Sequence, residues 1–188
     1  MALRGPRTMY LTSIQQSERR MELSIIILNW NSKDYLRVCL RSVFAYTRDV
    51  EFEVVVIDGA SFDGCGEMLA HEFPQVRFLQ SDQNLGFAKA NNLAASQSTG
   101  DVLLFLNPDT EVRDNAVGQL HATLKMLSNV GALGARLLNT DGTLQTSCVQ
   151  AFPTLTNQLL ASDLTFRWFP RCSWWGKRAL YSPGIAPA

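Results

Sequence analysis

Hydrophobic positions along the chain keep two alternating rhythms: short unbroken apolar runs, and stretches with apolar residues three or four apart. Residues 23–28, LSIIIL, form a continuous β-branched run, the mark of a strand covered on both faces. After NWNS the period changes, and Leu36, Leu40, Val43 and Phe44 recur at helical spacing with Asn31 or Ser32 as the cap. FEVVVID, residues 52–58, predicts a second buried strand. GASFDGCGEMLAHEF then turns through glycines into a short helix carrying Met68, Leu69 and Phe73, which must end by Pro74. VRFLQ predicts a third strand, NLGFAKANNLAAS a helix of small residues closed by STG, and DVLLFLN a fourth strand. A helix with Val117, Leu120, Leu124 and Leu127 on one face follows, and VGALGARLLNTDGTLQ reads as a hairpin turning at Asp141–Gly142. Strands alternating with helices predict an open, mostly parallel α/β sheet flanked by helices.

Composition changes this picture little. The 188 residues suffice for one domain with a proper core and an appendage. Seventeen basic residues balance seventeen acidic ones, so no polyanionic partner is implied, and no basic face extends a nucleic-acid groove. The four cysteines lie far apart without a Cys-x-x-Cys pair, which fits reduced thiols in a cytosolic protein better than a disulfide frame or a zinc site. No apolar run reaches the roughly 18–20 residues of a membrane span. Residues 1–22 are basic and polar, unlike a secretory signal, and read as a flexible extension before a natural-looking start at Met21.

Ligands in open α/β sheets sit outside the carboxyl ends of the strands. The first strand ends in Asn29-Trp30-Asn31, the second in Asp58-Gly59-Ala60-Ser61, and the fourth in Asn107-Pro108-Asp109; the loop after the third holds Asn84 and Gly86. Any one of these is ordinary turn chemistry. Their coincidence on one rim points to a nucleotide site. Glycine-rich phosphate cradles are excluded, because the turn after the first strand, NWNSKD, contains no glycine. A bound diphosphate would instead call for a divalent cation on a carboxylate oxygen, and Asp109, placed on the rim where Pro108 stops the strand, is the best-placed acid.

Five segments, LSIIILNWNSKDYLRVCLRSV, VVVIDGASFDGCGEML, QNLGFAKANNLAAS, VLLFLNPDTEV and VGALGARLLNTDGTLQTSC, resemble in order and spacing the N-terminal half of family 2 glycosyltransferases with the GT-A fold. The likeness spans residues 23–153 and is greatest to the rhamnosyltransferase-like members of bacterial cell-wall and cell-surface polysaccharide synthesis. It implies an inverting, metal-dependent transfer of a sugar, rhamnose among the candidates, from a dTDP- or UDP-linked donor to a glycan or lipid-linked acceptor. It implies work in the cytoplasm, at the inner face of the membrane. By position, Leu28, Asn29, Trp30 and Asn31 would line the nucleoside pocket, and Asp58 would accept a bond from the base, followed by Gly59, Ala60 and Ser61 in the turn. Asn84, Gly86, Phe87, Lys89 and Asn92 would border the nucleotide, with Lys89 facing the diphosphate. Asn107 and Pro108 would stand in the Asp-x-Asp-type motif, whose last acid, Asp109, binds Mg²⁺ or Mn²⁺.

Two departures from the family pattern matter. Gly59 replaces an amide side chain common after the second strand, which removes a local hydrogen bond. The acidic cluster that supplies the catalytic base lies beyond residue 188 in the family pattern, so the chain reads as C-terminally truncated, with its base unidentified. Residues 154–188 are aromatic and basic; they read as the start of a missing acceptor part, with peripheral membrane contact as the other reading. Uncovered apolar surface also invites self-association into a homo-oligomer. His71 and His121 are expected to be surface or satisfied helical histidines, and Glu111 an outer-shell acid or a helix-dipole partner. Two functional readings stand: a sugar transferase, or a nucleotide-sugar-binding module that lacks the base.

Overall fold

The computed structural model describes residues 21–143 and 145, in two units that divide between Leu133 and Gly134. The division falls inside the span 23–153 read from sequence as one domain. The first unit runs β1 (Leu23–Asn29), α1 (Lys33–Tyr46), β2 (Phe52–Asp58), α2 (Cys65–Glu72), β3 (Arg77–Gln80), α3 (Gly86–Ser96), β4 (Val102–Leu106) and α4 (Ala116–Met126). All eight elements stand where the hydrophobic rhythm predicts them, and α2 ends at Glu72, ahead of Pro74.

The four strands are parallel in the order β3-β2-β1-β4. Successive crossovers carry the chain outward from β1 through β2 to β3. The chain then returns to the other side of β1 for β4, so the topological switch point lies between β1 and β4. Register aligns Asn29 with Asp58 and Asp58 with Gln80, a polar row across the carboxyl edge of three strands. Ile27 faces Leu106, the last residue of β4, and residues 107–109 leave the sheet on that same edge.

Two layers cover the sheet. Leu23, Ile25 and Ile27 join α1 and α2 residues, with Val112 and Val117, in the larger core cluster. Ile26, Val55 and Ile57 meet Ala90 and Ala94 of α3 on the opposite face. Small residues in α3 let that helix lie close to the sheet, which is why NLGFAKANNLAAS carries so few bulky side chains.

Three expectations are corrected. Five apolar residues in a row, VLLFL, would make a good buried strand, yet β4 is the outer strand among those described, with Leu103 41 % and Phe105 49 % exposed. Apolar content alone does not distinguish a central strand from one at an edge. Ser32 occupies the N-cap position of α1 but makes no capping bond there; its hydroxyl donates instead to Asn29 Oδ1 at 2.9 Å. His121 is buried, and its Nε2 has no hydrogen-bond partner among the described residues, whereas His71 lies on the surface as expected.

In the second unit the hairpin is found, with a longer turn than two residues. Asn139 N donates to Thr143 O and Gln145 N to Leu137 O, leaving a three-residue loop with Gly142 at φ 82°. That is a turn followed by a left-handed residue that glycine supplies. Asp141 holds the turn by accepting from Thr143 N and Oγ1, the structural role its position suggests. Residues 146–188, with the aromatic and basic tail, Cys148 and Cys172, lie outside the described residues, as do residues 1–20.

Candidate functional site

The carboxyl edge of the sheet is organised around Asn29, which is fully buried. Its Nδ2 donates to Asp58 Oδ1 at 2.7 Å and to Ser61 Oγ at 3.2 Å, with longer bonds to both oxygens of Asp63. Asp58 is likewise fully buried. Its Oδ2 accepts from Ser61 N at 2.9 Å and from Gln80 Nε2 at 2.8 Å, and its Oδ1 also takes a short bond from the Ser61 hydroxyl. A carboxylate has about four lone-pair sites, and here all four are occupied. Burial pushes the Asp58 carboxyl up, but the bonds from Ser61, Gln80 and Asn29 outweigh it and hold it below the usual carboxylate range. In this conformation Asp58 offers no free lone pair to a base; it fastens β1, β3 and the β2–α2 turn together.

Around this anchor, the residues expected to line a ligand pocket divide cleanly. Trp30 is 58 % exposed, Asn31 is exposed at φ 51°, and Leu28 is half-buried. Gly59 is buried, with its N–H on Asn29 O, and a Cβ built on it would lie 3.8 Å from Trp30 Cδ1, so the indole stands beside this glycine. Ala60 sits at φ 62° and Phe62 at φ 50°, left-handed conformations that are unusual for residues with side chains. Asn84 Oδ1 accepts from Gly86 N and opens α3, and Gly86 adopts φ 72°. Phe87, Lys89 and Asn92 are exposed on the same helix. Asn107 O accepts from Thr110 N and Oγ1 and receives the Cys39 thiol at 3.8 Å, pinning the turn that carries Asp109. Burial pushes that thiol up to about 11, so it remains protonated.

Two groups of acids on this edge differ in kind. Ligand atoms of Asp58, Asp63 and Cys65 lie within 4.8 Å of one another. Their oxygens are nevertheless taken by protein donors, and burial raises the Cys65 thiol out of the thiolate range, so this group is a hydrogen-bond knot and not a metal cage. Asp109 is the reverse case. Its carboxylate is exposed beside the switch point and makes no hydrogen bond or ion pair among the described residues. Mg²⁺ and Mn²⁺ accept such hard oxygen ligands, completed by phosphate and water, and Asp109 fits that donor set.

Sequence reading missed Asp63 and Gln80. Asp63 lies two residues before α2 and lowers its own carboxyl range despite burial, through bonds from Asn29, Cys65 and Lys33 N. The signal available was an aspartate just ahead of a helix, which is a capping cue. Gln80 could be found only through the register that sets it beside Asp58.

Because Asp58 and Asp63 both titrate lower when folded, their contribution to stability is complete above the unfolded value of about 4. It is lost as pH falls through the depressed folded values. Melting curves from pH 7 to 3 are expected to steepen below about pH 4, and Asp58→Asn is expected to flatten that part. Parallel profiles for the two proteins would contradict the assignment.

A parallel α/β sheet with polar strand ends gathered at its switch point is the architecture of nucleotide-binding domains. Residues 24–177 match the model of Glycosyl transferase family 2, and the chain belongs to that family. It is 33 % identical over 126 residues to the O-antigen biosynthesis protein RfbC of Myxococcus xanthus, covering 66 % of this chain and 10 % of that protein. To the uncharacterised glycosyltransferase YfnE of Bacillus subtilis it is 38 % identical over 92 residues, 47 % of this chain and 23 % of that one. The chain thus spans a quarter or less of the length of these curated relatives. Among solved structures it resembles Staphylococcus aureus TarS, with a TM-score of 0.50 and 27 % identity over 56 % of this chain and 20 % of that chain. A TarS 1–349 structure in complex with UDP also matches, with a TM-score of 0.50 and 23 % identity over 61 % of this chain and 38 % of that one. The fold is the GT-A fold. No helix among the described residues is long and apolar enough to cross a membrane.

Proposed function

We propose that this chain carries the donor-binding part of a glycosyltransferase that moves a sugar from a nucleoside diphosphate onto a glycan or lipid-linked acceptor in surface-polysaccharide synthesis. The observation that carries this reading is an exposed carboxylate, Asp109, which makes no hydrogen bond or ion pair among the described residues, at the switch point of a family 2 sheet. Trp30, and Gly59 beside it, offer a flat apolar place for a base, and Lys89 a cation for the diphosphate. The relatives support the substrate class: one is named for O-antigen biosynthesis, and TarS has been seen with UDP. The resemblance to the family makes a dTDP- or UDP-linked sugar the donor in this reading, with rhamnose among the candidates.

A Mg²⁺ or Mn²⁺ ion at Asp109 would supply charge neutralisation for the departing diphosphate. The chemistry is then an inverting displacement. The acceptor hydroxyl oxygen bonds to the anomeric carbon as the carbon–oxygen bond to the diphosphate breaks, and the hydroxyl proton passes to a carboxylate base. Asp58 and Asp63 are poor bases, since their oxygens are already donated to. That observation favours a second reading, in which the chain binds donor and a separate segment supplies the base.

Calorimetric titration of the full chain with UDP and dTDP, with and without Mn²⁺, tests the donor site. Binding is expected to require the metal, and Asp109→Ala is expected to weaken it about 100-fold, as loss of a metal-site group does. Metal-independent binding unchanged in Asp109→Ala would refute the assignment. Sugar transfer by the chain to added acceptor would then separate the enzyme from the binding module.

A further inference from the structure

The loop between β2 and α2 is held in a conformation that its own residues resist. Ala60 and Phe62 both adopt left-handed backbone, which costs about 1–3 kcal/mol per non-glycine residue and persists only where surroundings enforce it. Two anchors alternate with the strained residues. Ser61 is tied to Asp58 through its N–H and its hydroxyl. Asp63 is tied more widely: Oδ2 accepts from Lys33 N at 2.9 Å, Oδ1 accepts from Cys65 N at 3.0 Å, and both oxygens lie 3.3–3.4 Å from Asn29 Nδ2.

Lys33 opens α1 and Cys65 opens α2. One carboxylate therefore satisfies backbone donors at the starts of two helices, where helix dipoles favour negative charge. The residue in the N-cap position of α1 makes no side-chain bond to the helix, so Asp63, thirty residues beyond Lys33 in sequence, takes that place. The consequence is geometric. The turn holding Trp30 and Asn31 lies between Asn29 and Lys33, both bonded to Asp63. The turn holding Gly59 to Phe62 lies between Asp58 and Asp63 themselves. Both turns beside Trp30 are thus referred to a single side chain.

We propose that Asp63 is a positioning residue of the donor pocket, fixing the Trp30–Asn31 turn and the Gly59–Phe62 turn relative to each other by accepting from the first turns of α1 and α2 at once. This rests on the donor reading above. Asp63 touches no substrate in this role; it acts through Trp30 and Gly59.

Two variants separate positioning from simple helix capping. Asp63→Ser retains an oxygen able to accept from Cys65 N but is too short to serve Lys33 as well. Asp63→Asn keeps the size and turns one of the two acceptors into a donor. Each is titrated with UDP and dTDP in the presence of Mn²⁺ at a temperature where circular dichroism shows it folded, and amide exchange is followed at Lys33 and Cys65. Ser24→Ala serves as a remote control. It removes a hydroxyl that binds Glu53 and Gly100 N at the other edge of the sheet, about 17 Å from Asn29 at strand rise.

Both Asp63 variants are expected to bind nucleotide about tenfold more weakly, with faster exchange at Lys33 in each. Ser24→Ala is expected to lose stability and keep its affinity. Wild-type affinity in Asp63→Ser, or exchange that rises at Cys65 alone, would overturn the proposal, leaving Asp63 as a cap of α2. An equal loss of affinity in Ser24→Ala would overturn it too, by showing that general destabilisation suffices. Failure of the wild-type chain to bind either nucleotide is a different result, which would sink the donor reading itself.

Discussion

Gly100→Ala is expected to destabilise the first unit by on the order of 3 kcal/mol or more, beyond the usual cost of overpacking, because the obstacle is backbone. A Cβ built at position 100 would stand 2.5 Å from Ser24 N and 2.6 Å from the carbonyl carbon of Leu23. Side-chain ends can move aside, but these atoms belong to β1, whose flanking residues Ile25, Ile26 and Ile27 are wholly buried. The same spot is a bonding hub. Gly100 N donates to Ser24 Oγ, Ser24 Oγ donates to Glu53, and Glu53 also accepts from Thr99 N and Oγ1. Relief would require β4 to slide from the register that sets Leu23 against Val102. Gly59→Ala is the matched comparison, since the nearest atom to a Cβ there is Asn29 O at 3.5 Å, an ordinary contact. Urea unfolding of the two variants should show a large drop in midpoint for Gly100→Ala and a change under about 1 kcal/mol for Gly59→Ala. Equal midpoints would mean that β1 yields at Ser24.

The strands and helices were legible because their signals are local. LSIIIL and FEVVVID admit few readings other than buried parallel strands, and Pro74 and the glycines punctuate the rest. The rim was legible too, since the polar residues ending β1, β2 and β4 follow directly from where the apolar runs stop. What could not be read was pairing. The polar row of Asn29, Asp58 and Gln80 depends on register between strands about twenty to fifty residues apart. Asp63 shows in sequence only as a capping cue for α2, and its reach to Lys33 exists only after α1 and α2 have docked side by side. The exposed face of β4 was missed for the same reason, because an apolar run reports its composition and not its neighbours. For Asp58 the resemblance supplied a ligand role, whereas the geometry spends all its lone pairs internally. The position was found; its partners were not.

Those partners make Asp58→Ala the substitution with the widest expected consequence. Removal of the carboxylate takes the acceptor of Ser61 N and Oγ and one acceptor each of Gln80 Nε2 and of the fully buried Asn29 Nδ2, which keeps only its longer bonds to Ser61 and Asp63. Each buried donor left unpaired costs about 1–3 kcal/mol. Ser61 and Gln80 lie nearer solvent and recover part of that through water, so a net loss of about 3–5 kcal/mol is expected. Against a total domain stability of about 5–15 kcal/mol, that leaves a marginal fold. Asp58→Asn should cost less, because it keeps one acceptor and the shape, but its amide places a donor against donors already there. The two variants together distinguish a ligand-binding role from a fastening one. A carboxylate that served chiefly to grip a base would lose nucleotide affinity in both variants while the urea midpoint stayed put. The fastening role predicts the opposite order: the midpoint falls first and furthest in Asp58→Ala, and affinity follows only because Ser61 and the turn beside Trp30 have lost their anchor.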